Sequence, residues 1–299
     1  MNALPPLALI GTGNMGMGMA QRWRALGGRV LACDIDPERQ HQLQALGAEV
    51  HANGAALASA MAPGGLLAIV VVDAAQCEAV LFGPEGAAPH LPANSTVMLC
   101  PTIAPKDTQA LGAVLAAQGV ACIDAPMSGG PLRAAQGRMS LMVACDDASW
   151  AAHHDTLQRL AEPVFRVSPV LGDGARTKLV NNLLAGINLV AAAEALALAE
   201  RLGLDATRTL DVIEQSSGQS WIGSDRMRRA LAEDWAPRAH MRLLAKDTAL
   251  AMDAARDIGF DGPLGASAAA QFQQALAAWA DCDDGAMLQQ LRAKRASGD

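Results

Sequence analysis

A lysine and an asparagine in the segment TKLVNN have the types and spacing needed for acid–base chemistry. Asp173 is a plausible N-cap for a helix that begins just upstream, so Lys178 and Asn182 would lie one turn apart on one helix face. Burial and the positive helix end would both lower the pKa of a lysine there, as a general base near neutral pH requires. The same pattern also fits a solvated lysine at a helix end. Ala185 and Gly186 continue this face, and we expect their small side chains to leave room for a ligand.

A glycine fingerprint follows the first apolar run of the chain. The sequence GTGNMG has GxGxxG spacing, and a helical pattern begins directly after it. In that setting the glycines make the tight turn, admit a pyrophosphate to the backbone and allow close helix packing. The free N–H groups of the helix N-terminus then bind the anion. The alternative is a turn used for packing alone. We predict a dinucleotide site at Gly11, Thr12, Gly13, Asn14, Met15 and Gly16.

Asp34 indicates which dinucleotide binds. It ends the second apolar run, eighteen residues after Gly16. A carboxylate there accepts hydrogen bonds from ribose hydroxyls and repels a 2′-phosphate. The next residue is Ile35 rather than an arginine, so we predict NAD as the cofactor.

Two further segments lie at predicted strand ends, where ligands bind in doubly wound sheets. DAPMSGGP places one hydroxyl and two unshielded backbone N–H groups together at Ser128, Gly129 and Gly130, a suitable cradle for a substrate carboxylate. An ordinary β-turn fits these residues equally well. In CPTIAP, Thr102 could contact the cofactor, although the segment alone is only a proline-bounded loop.

Strands and helices alternate over the part of the chain that holds most of these residues. Six apolar runs predict strands, at residues 7–11, 29–34, 66–72, 95–100, 120–126 and 138–145. Such runs with intervening helices are typical of a parallel sheet covered on both faces. No strand pattern follows Asp173. We predict an α/β fold, with a Rossmann-type doubly wound parallel sheet in residues 1–165 and an all-α domain in residues 166–299, with a long interdomain helix.

Composition argues against several classes of protein. The formal charge of −7 and the lack of a basic cluster argue against nucleic-acid binding. Apolar runs are too short, or too interrupted by Asn188 and Glu194, to span a bilayer, and the N-terminus lacks a basic signal region. The six cysteines form no CxxC pair and no metal motif is present, so we expect a reduced, cytoplasmic protein without a metal site. The chain has no tyrosine, which excludes the tyrosine–lysine mechanism of short-chain dehydrogenases.

Four segments in one order resemble the β-hydroxyacid dehydrogenases, the group around 3-hydroxyisobutyrate dehydrogenase, tartronate semialdehyde reductase and L-threonate dehydrogenase. They are IGTGNMGMGMA, DAPMSGGPLRAAQGRMSLMV, GDGARTKLVNNLL with EALALAERLGLD, and LLAKDTALAMDAA. The resemblance covers nearly the whole chain. It departs at Pro101, where the family often has serine, and at Val72-Asp73, where it often has Leu-Pro, which leaves the cofactor contacts of those loops open.

The resemblance implies roles for the candidate residues. Lys178 would be the catalytic acid/base and Asn182 a substrate contact, while the SGG turn would hold the substrate carboxylate. Lys246 would reach from the helical domain to the cofactor and active site. The implied reaction moves a hydride between a hydroxy acid and NAD as neutral Lys178 takes the hydroxyl proton. A homodimer or homotetramer is also implied.

Rival functions remain open on the sequence alone. Imine reductases share this architecture but generally carry another residue at the position of Lys178, and a non-catalytic NAD-binding sensor would need no turnover. A 6-phosphogluconate dehydrogenase has a much longer helical domain. The substrate could be 3-hydroxyisobutyrate or a four-carbon sugar acid such as L-threonate. Five polar or large residues are candidates for choosing between them: Arg133, Ser220, Trp221, His240 and Arg242.

Overall fold

The computed structural model describes residues 4–293. The chain divides into two compact units, of which the first ends at Lys178 and the second begins at Leu179. The dividing point lies inside one continuous helix, Asp173–Arg201. The boundary predicted between residues 165 and 166 falls instead within a strand, Val164–Ser168, which belongs wholly to the first unit.

The strands all lie in the first unit. Within the described residues nine strands form one sheet: β1 (Leu7–Ile10), β2 (Val30–Cys33), β3 (Glu49–Val50), β4 (Leu66–Ile69), β5 (Thr96–Leu99), β6 (Ala121–Asp124), β7 (Met127–Ser128), β8 (Ser140–Ala144) and β9 (Val164–Ser168). The six predicted strands correspond to β1, β2, β4, β5, β6 and β8. The sequence does not predict β3 and β7, which have two residues each, or β9, which is largely exposed.

The sheet has the order β3-β2-β1-β4-β5-β6-β8-β7, with β9 paired to β8. Every pairing from β3 through β6 is parallel, which confirms the predicted sheet. The expectation of parallel strands is wrong for β8, which runs antiparallel to β6 and β7. From β1 the chain first adds β2 and β3 on one side and then β4, β5 and β6 on the other side, so the strand order reverses at β1. Folds of this kind bind ligands at the strand ends near that point.

Both faces of the central strands are buried. Leu7 and Leu9 of β1 pack into one apolar cluster, while Ala8 and Ile10 pack into the other. This two-sided burial explains why the strands are almost continuously apolar. The helices of the first unit, within the described residues, are α1 (Asn14–Ala25), α2 (Pro37–Ala45), α3 (Gly54–Ser59), α4 (Ala74–Phe82), α5 (Pro105–Ala117), α6 (Gly130–Ala135) and α7 (Asp147–Leu160).

The second unit is helical, as predicted. Its described residues contain no strand beyond an isolated bridge between His240 and Asp283. Its apolar core includes Leu189, Met227 and Phe272. Beginning with the helix shared by the two units, the helices are α8 (Asp173–Arg201), α9 (Ala206–Glu214), α10 (Trp221–Leu231), α11 (Met241–Asp257), α12 (Pro263–Trp279) and α13 (Met287–Ala293).

Helix α8 is the long helix that the sequence predicts between the domains, but it departs from the expectation that no apolar run could span a bilayer. At 29 residues it is the one helix of the described chain that could cross a membrane by length and composition. Core helices of soluble proteins pass the same test. In the second unit Leu189 and Leu196 of α8 are buried in the helical core, whereas Leu184 and Leu198 are exposed.

Candidate active site

The three fingerprint glycines, two in the loop after β1 and one in the first turn of α1, have different surroundings. Gly11 has a φ of +87°, and a Cβ there would lie 2.6 Å from the Val70 carbonyl oxygen. A Cβ on Gly16 would lie 2.2 Å from the Gly11 oxygen. A Cβ on Gly13 would meet no atom within 4 Å. Gly11 and Gly16 are therefore required for packing, whereas Gly13 borders open space in which a pyrophosphate fits.

The carboxylate of Asp34 is held by this glycine loop. Its Oδ2 accepts hydrogen bonds from the Thr12 backbone N–H at 2.5 Å and from the Thr12 hydroxyl at 2.8 Å. Its Oδ1 accepts one from the Asp36 N–H at 2.9 Å. Thr12 is fully buried, so the carboxylate is fixed beside the loop without help from a ligand. A ribose next to a pyrophosphate at Gly13 fits this position.

Sequence reasoning missed Arg39, in the first turn of α2. Its Nη2 donates a hydrogen bond to Oδ1 of Asn14, the first residue of α1, at 3.3 Å. The expectation of NAD rested partly on Ile35, whose side chain is 97% exposed. A cation is thus present beside the glycine loop although no arginine directly follows Asp34. The available signal was an arginine five residues after Asp34, at the start of the next helix.

The Ser-Gly-Gly turn follows a short strand that is held by β8. Met127 and Ser128 form β7, and Ser128 pairs with Ser140. Gly129 and Gly130 have φ of +123° and +78°, which favour glycine. A Cβ on Gly130 would meet no atom within 4 Å. The turn thus offers open main chain beside a hydroxyl, with the chemistry to bind an anion.

Lys178 is buried beside this turn. It lies in the second turn of α8 and is 7% exposed. Its Nζ donates a hydrogen bond to the carbonyl oxygen of Met127 at 2.5 Å. Met127 directly precedes Ser128 in β7. Burial rules out the alternative of a solvated lysine at a helix end.

Asp124 holds the start of the lysine helix. It ends β6 and is 1% exposed. Its Oδ2 accepts hydrogen bonds from the N–H groups of Gly172 and Ala175, each at 3.0 Å, at the beginning of α8. Burial raises the pKa of Asp124 to about 6, although hydrogen bonds from the helix backbone oppose the shift. The sequence pattern alone gives Asp124 no role beyond its place at the start of the DAPMSGGP segment.

Asn182 lies one turn beyond Lys178 in α8, and its environment belongs to the second unit. Its Nδ2 donates a hydrogen bond to Oδ2 of Asp247 at 2.6 Å, and both residues are buried. Its Oδ1 accepts one from Asn181 at 3.0 Å, so both ends of the amide are fixed. Nζ of Lys246 lies 3.1 Å from Oδ1 of Asp247. Sequence reasoning missed Asp247, and the available signal was a carboxylate on the apolar face of α11.

The small residues that follow Asn182 are packed. A Cβ on Gly186 would lie 2.7 Å from Cγ2 of Thr248 and 3.2 Å from the Phe272 ring. Ala185 packs against the same helical core. The expectation that this face leaves room for a ligand is wrong, because α8 needs small residues there to approach α11 and α12 closely.

The other predicted residues lie near strand ends or have local contacts. Thr102 follows β5 and is partly buried, and the Met15 side chain packs against the sheet core. The candidates for substrate choice have mostly local contacts. Ser220 caps α10. Nδ1 of His240 lies 2.9 Å from the main-chain oxygen of Asp281, and Arg242 pairs with the carboxylate of Asp281. Two further candidates for substrate choice remain partly or largely exposed, Arg133 and Trp221.

The cysteines do not have the properties of nucleophiles. All six are free, and five are buried. Burial raises the pKa of the Cys100 and Cys122 thiols, and it raises that of Cys145 to about 11. Between residues 4 and 293 no group of three or more His, Cys, Asp or Glu side chains is placed to hold a metal ion.

Family profiles match both parts of the chain. The NAD-binding domain of 6-phosphogluconate dehydrogenase matches residues 6–172, and the NAD-binding domain of NADP-dependent 3-hydroxyisobutyrate dehydrogenase matches residues 172–291. L-threonate dehydrogenase of Cupriavidus necator is 38% identical over 269 residues, which cover 90% of each chain.

Two solved structures share the fold over almost the full length. The crystal structure of 3-hydroxyisobutyrate dehydrogenase from Salmonella typhimurium has a TM-score of 0.88 and 34% identity, and the match covers 96% of this chain and 99% of that one. Psf3 in complex with NADP+ and 2-OPP has a TM-score of 0.88 and 25% identity, with 95% and 99% coverage. The similarity thus extends over both units and includes a protein with a bound nicotinamide dinucleotide.

Proposed function

The chain belongs to the 3-hydroxyisobutyrate dehydrogenase family of NAD(P)-binding hydroxyacid dehydrogenases, and from that premise we propose the reaction that it catalyses. It transfers a hydride between a small hydroxy acid and NAD, with Nζ of Lys178 as the general acid/base. One observation carries the proposal. Lys178 is buried, and its Nζ contacts the main chain of β7 one residue before the Ser-Gly-Gly turn.

The proton step follows from the surroundings of Lys178. A neutral amine has two N–H groups and one lone pair. The Met127 oxygen accepts one N–H at 2.5 Å and orients the amine, whose lone pair receives the substrate hydroxyl proton in the proposed reaction. In the direction of reduction the ammonium returns that proton to the developing alkoxide. The bound dinucleotide supplies the site that accepts or donates the hydride.

The Ser-Gly-Gly turn anchors the substrate carboxylate in this proposal. Ser128 contributes its hydroxyl, and Gly129 and Gly130, which have no side chains of their own, contribute backbone N–H groups. Support comes from the positive φ of both glycines and from the open space at Gly130. Because the turn follows the residue that contacts Lys178, an acid held here presents its hydroxyl to the amine.

Asn182 contacts the substrate hydroxyl, and Asp247 fixes the direction of its amide. An amide held at both ends is preorganised, so little reorganisation is needed when the substrate binds. We assign Lys246, paired with Asp247, to the cofactor side of the site. Thr102 contributes a further cofactor contact from the end of β5.

Asp34 selects NAD over NADP. Its carboxylate is fixed by Thr12 and would lie close to a 2′-phosphate, which it repels. Arg39 lies on the same side of the glycine loop but is occupied by Asn14 and by Gln42. We therefore assign the preference to the carboxylate.

A four-carbon sugar acid such as L-threonate is the substrate that we propose. L-threonate dehydrogenases match this chain over about nine-tenths of its length or more, at 38% and 34% identity. The polar candidates Ser220, His240 and Arg242 have partners within the second unit, so the proposal rests on these relatives.

We also propose that the protein acts in the cytoplasm as a homodimer or homotetramer, without a nucleic-acid or membrane partner. The exposed leucines of α8, Leu184 and Leu198, support an assembly that covers this face, because contiguous exposed apolar surface marks protein–protein interfaces. Size-exclusion chromatography with light scattering measures the assembly state.

A panel of hydroxy acids with three to five carbons, assayed with NAD and with NADP, tests the proposed function. We expect kcat/KM to be highest for a four-carbon acid with NAD. Equal values across the panel would contradict the polar substrate site, and the absence of any turnover would contradict the enzyme assignment.

A further inference from the structure

We propose that Asp124 is a positioning residue that sets the place of Lys178 through the first turn of α8. The inference rests on the proposed catalytic role of Lys178 and deepens it. Asp124 has no exposed surface with which to touch a substrate, since it is 1% exposed. Its effect on catalysis would therefore act through the helix.

The carboxylate joins the end of β6 to the beginning of α8. One oxygen, Oδ2, accepts hydrogen bonds from Gly172 and Ala175, each at 3.0 Å. Lys178 follows Ala175 by three residues, less than one helical turn. A displacement of the first turn therefore moves the Lys178 backbone directly.

A second contact joins the same two segments. Met127, three residues after Asp124, accepts the hydrogen bond from Lys178 Nζ at 2.5 Å. The segments 124–127 and 172–178 are thus tied at both ends, by the Asp124 carboxylate at one end and by the lysine at the other. This arrangement fixes both the backbone and the amine of Lys178.

The first turn of α8 has no space in which to shift toward the sheet. A Cβ on Gly174 would lie 2.7 Å from the Met142 oxygen and 2.9 Å from Oδ2 of Asp124. Gly172 has a φ of +96°, which favours glycine at the start of the helix. Close packing and the buried carboxylate together determine where the helix begins.

Two substitutions at Asp124 separate positioning from general stability. Asp124→Ala removes the acceptor, whereas Asp124→Asn retains one acceptor oxygen at the same place. We expect Asp124→Ala to lower kcat by about 10- to 100-fold, the effect of misplacing a catalytic group by about 1 Å, with the KM for NAD and its Kd within about twofold of wild type. Asp124→Asn should recover most of kcat. Unchanged kcat in Asp124→Ala, at a temperature where it is folded, would overturn the proposal.

Gly174→Ala provides a second route if Asp124→Ala fails to fold. It leaves the carboxylate in place but inserts a Cβ between the helix, Met142 and Asp124. We expect the same loss of kcat without a change in NAD affinity. The matched control is Asp146→Ala, which removes the carboxylate that caps α7 through Ser149 at 2.7 Å. It should lower Tm and leave kcat unchanged, and a loss of kcat equal to that of Asp124→Ala would overturn the proposal.

A double-mutant cycle separates this inference from the proposed role of Lys178. If Asp124 acts through Lys178, adding Asp124→Ala to Lys178→Ala should change kcat less than twofold, because the lysine it positions is already absent. A full further loss would show that Asp124 acts elsewhere and overturn the inference. If Lys178→Ala alone retains kcat, the proposed function fails, and the inference that rests on it fails with it.

Discussion

Nζ of Lys178 lies 2.5 Å from the carbonyl oxygen of Met127, and this contact joins the lysine of α8 to the strand that ends in the Ser-Gly-Gly turn. A lysine so thoroughly buried loses most of its hydration, and burial of this kind is costly for an amine. Burial of this lysine therefore supports a catalytic role better than a structural one.

Gly13 and Gly16 should respond differently to the same substitution. Gly13→Ala should fold normally, because its Cβ would meet no protein atom within 4 Å, but should raise the Kd for NAD at least about tenfold by filling the space for the pyrophosphate. Gly16→Ala should lower the free energy of unfolding by about 1–3 kcal/mol, because its Cβ would clash with the Gly11 oxygen. Thermal melts and NAD titrations measure both effects. Wild-type NAD affinity in Gly13→Ala would contradict the cofactor site.

Cofactor preference should depend on the Asp34 charge. Asp34→Asn should reduce the ratio of the NADP Kd to the NAD Kd at least about tenfold, because repulsion of the 2′-phosphate is removed and Arg39 is already nearby. Glu49→Gln, at an exposed carboxylate on β3, is the control and should leave the ratio unchanged. A wild-type protein that prefers NADP would refute this explanation.

Substitution of Asp247 should lower kcat/KM for the hydroxy acid, because Asp247 fixes the Asn182 amide. Asp247→Ala leaves the Asn182 amide without its buried acceptor, so we expect kcat/KM for the hydroxy acid to fall about 10- to 100-fold. Asp253→Ala, which removes an exposed carboxylate of the same helix that pairs with Arg256, should have no such effect. Steady-state kinetics compare the two variants. Equal kcat/KM in both would exclude Asp247 from the site.

The Asp124 carboxyl should make stability depend on pH. Its pKa in the folded protein is about 6, above the ordinary value of 3.8, so the protonated form is favoured by folding. The stabilisation is complete below pH 3.8 and is lost as the pH rises through about 6, a change of about 3 kcal/mol.

Asp124→Asn does not titrate, which gives a direct comparison. Relative to wild type, the free energy of unfolding of Asp124→Asn should rise by about 2 kcal/mol between pH 4 and pH 7, most of the full change. Urea unfolding at several pH values measures this difference. A constant difference would show that the folded-state pKa is not raised.

The sequence predicts the parallel sheet and the helical second unit well, because both have strong local signals. Apolar runs such as Leu7–Ile10 reflect burial on two faces, and they alternate with helices of regular pattern. The sequence does not predict β7 and β9, because a two-residue strand and an exposed strand depend on β8 for their pairing. The antiparallel direction of β8 is likewise a property of tertiary contacts.

The site residues likewise divide into those with a local sequence signal and those that depend on tertiary contacts. Local spacing identifies the glycine loop, but for Lys178 it leaves a solvated helix-end lysine as an alternative, and the catalytic role is implied by the family resemblance. Asp124 and Asp247 are recognised only from their partners. Asp124 contacts backbone groups about fifty residues away in sequence, and Asp247 contacts a side chain sixty-five residues away. The prediction of ligand space at Gly186 is wrong, because a small residue in a helix equally serves close packing, here against Thr248.

Lys178→Ala is the most direct test of the central proposal. At saturating NAD and hydroxy acid it should lower kcat at least about 100-fold, the usual contribution of a general acid/base, while NAD affinity changes less than about twofold. Lys106→Ala, at an exposed lysine of α5, is the matched control and should behave as wild type. A Lys178→Ala variant that is folded, binds NAD and retains near-normal kcat would contradict the account.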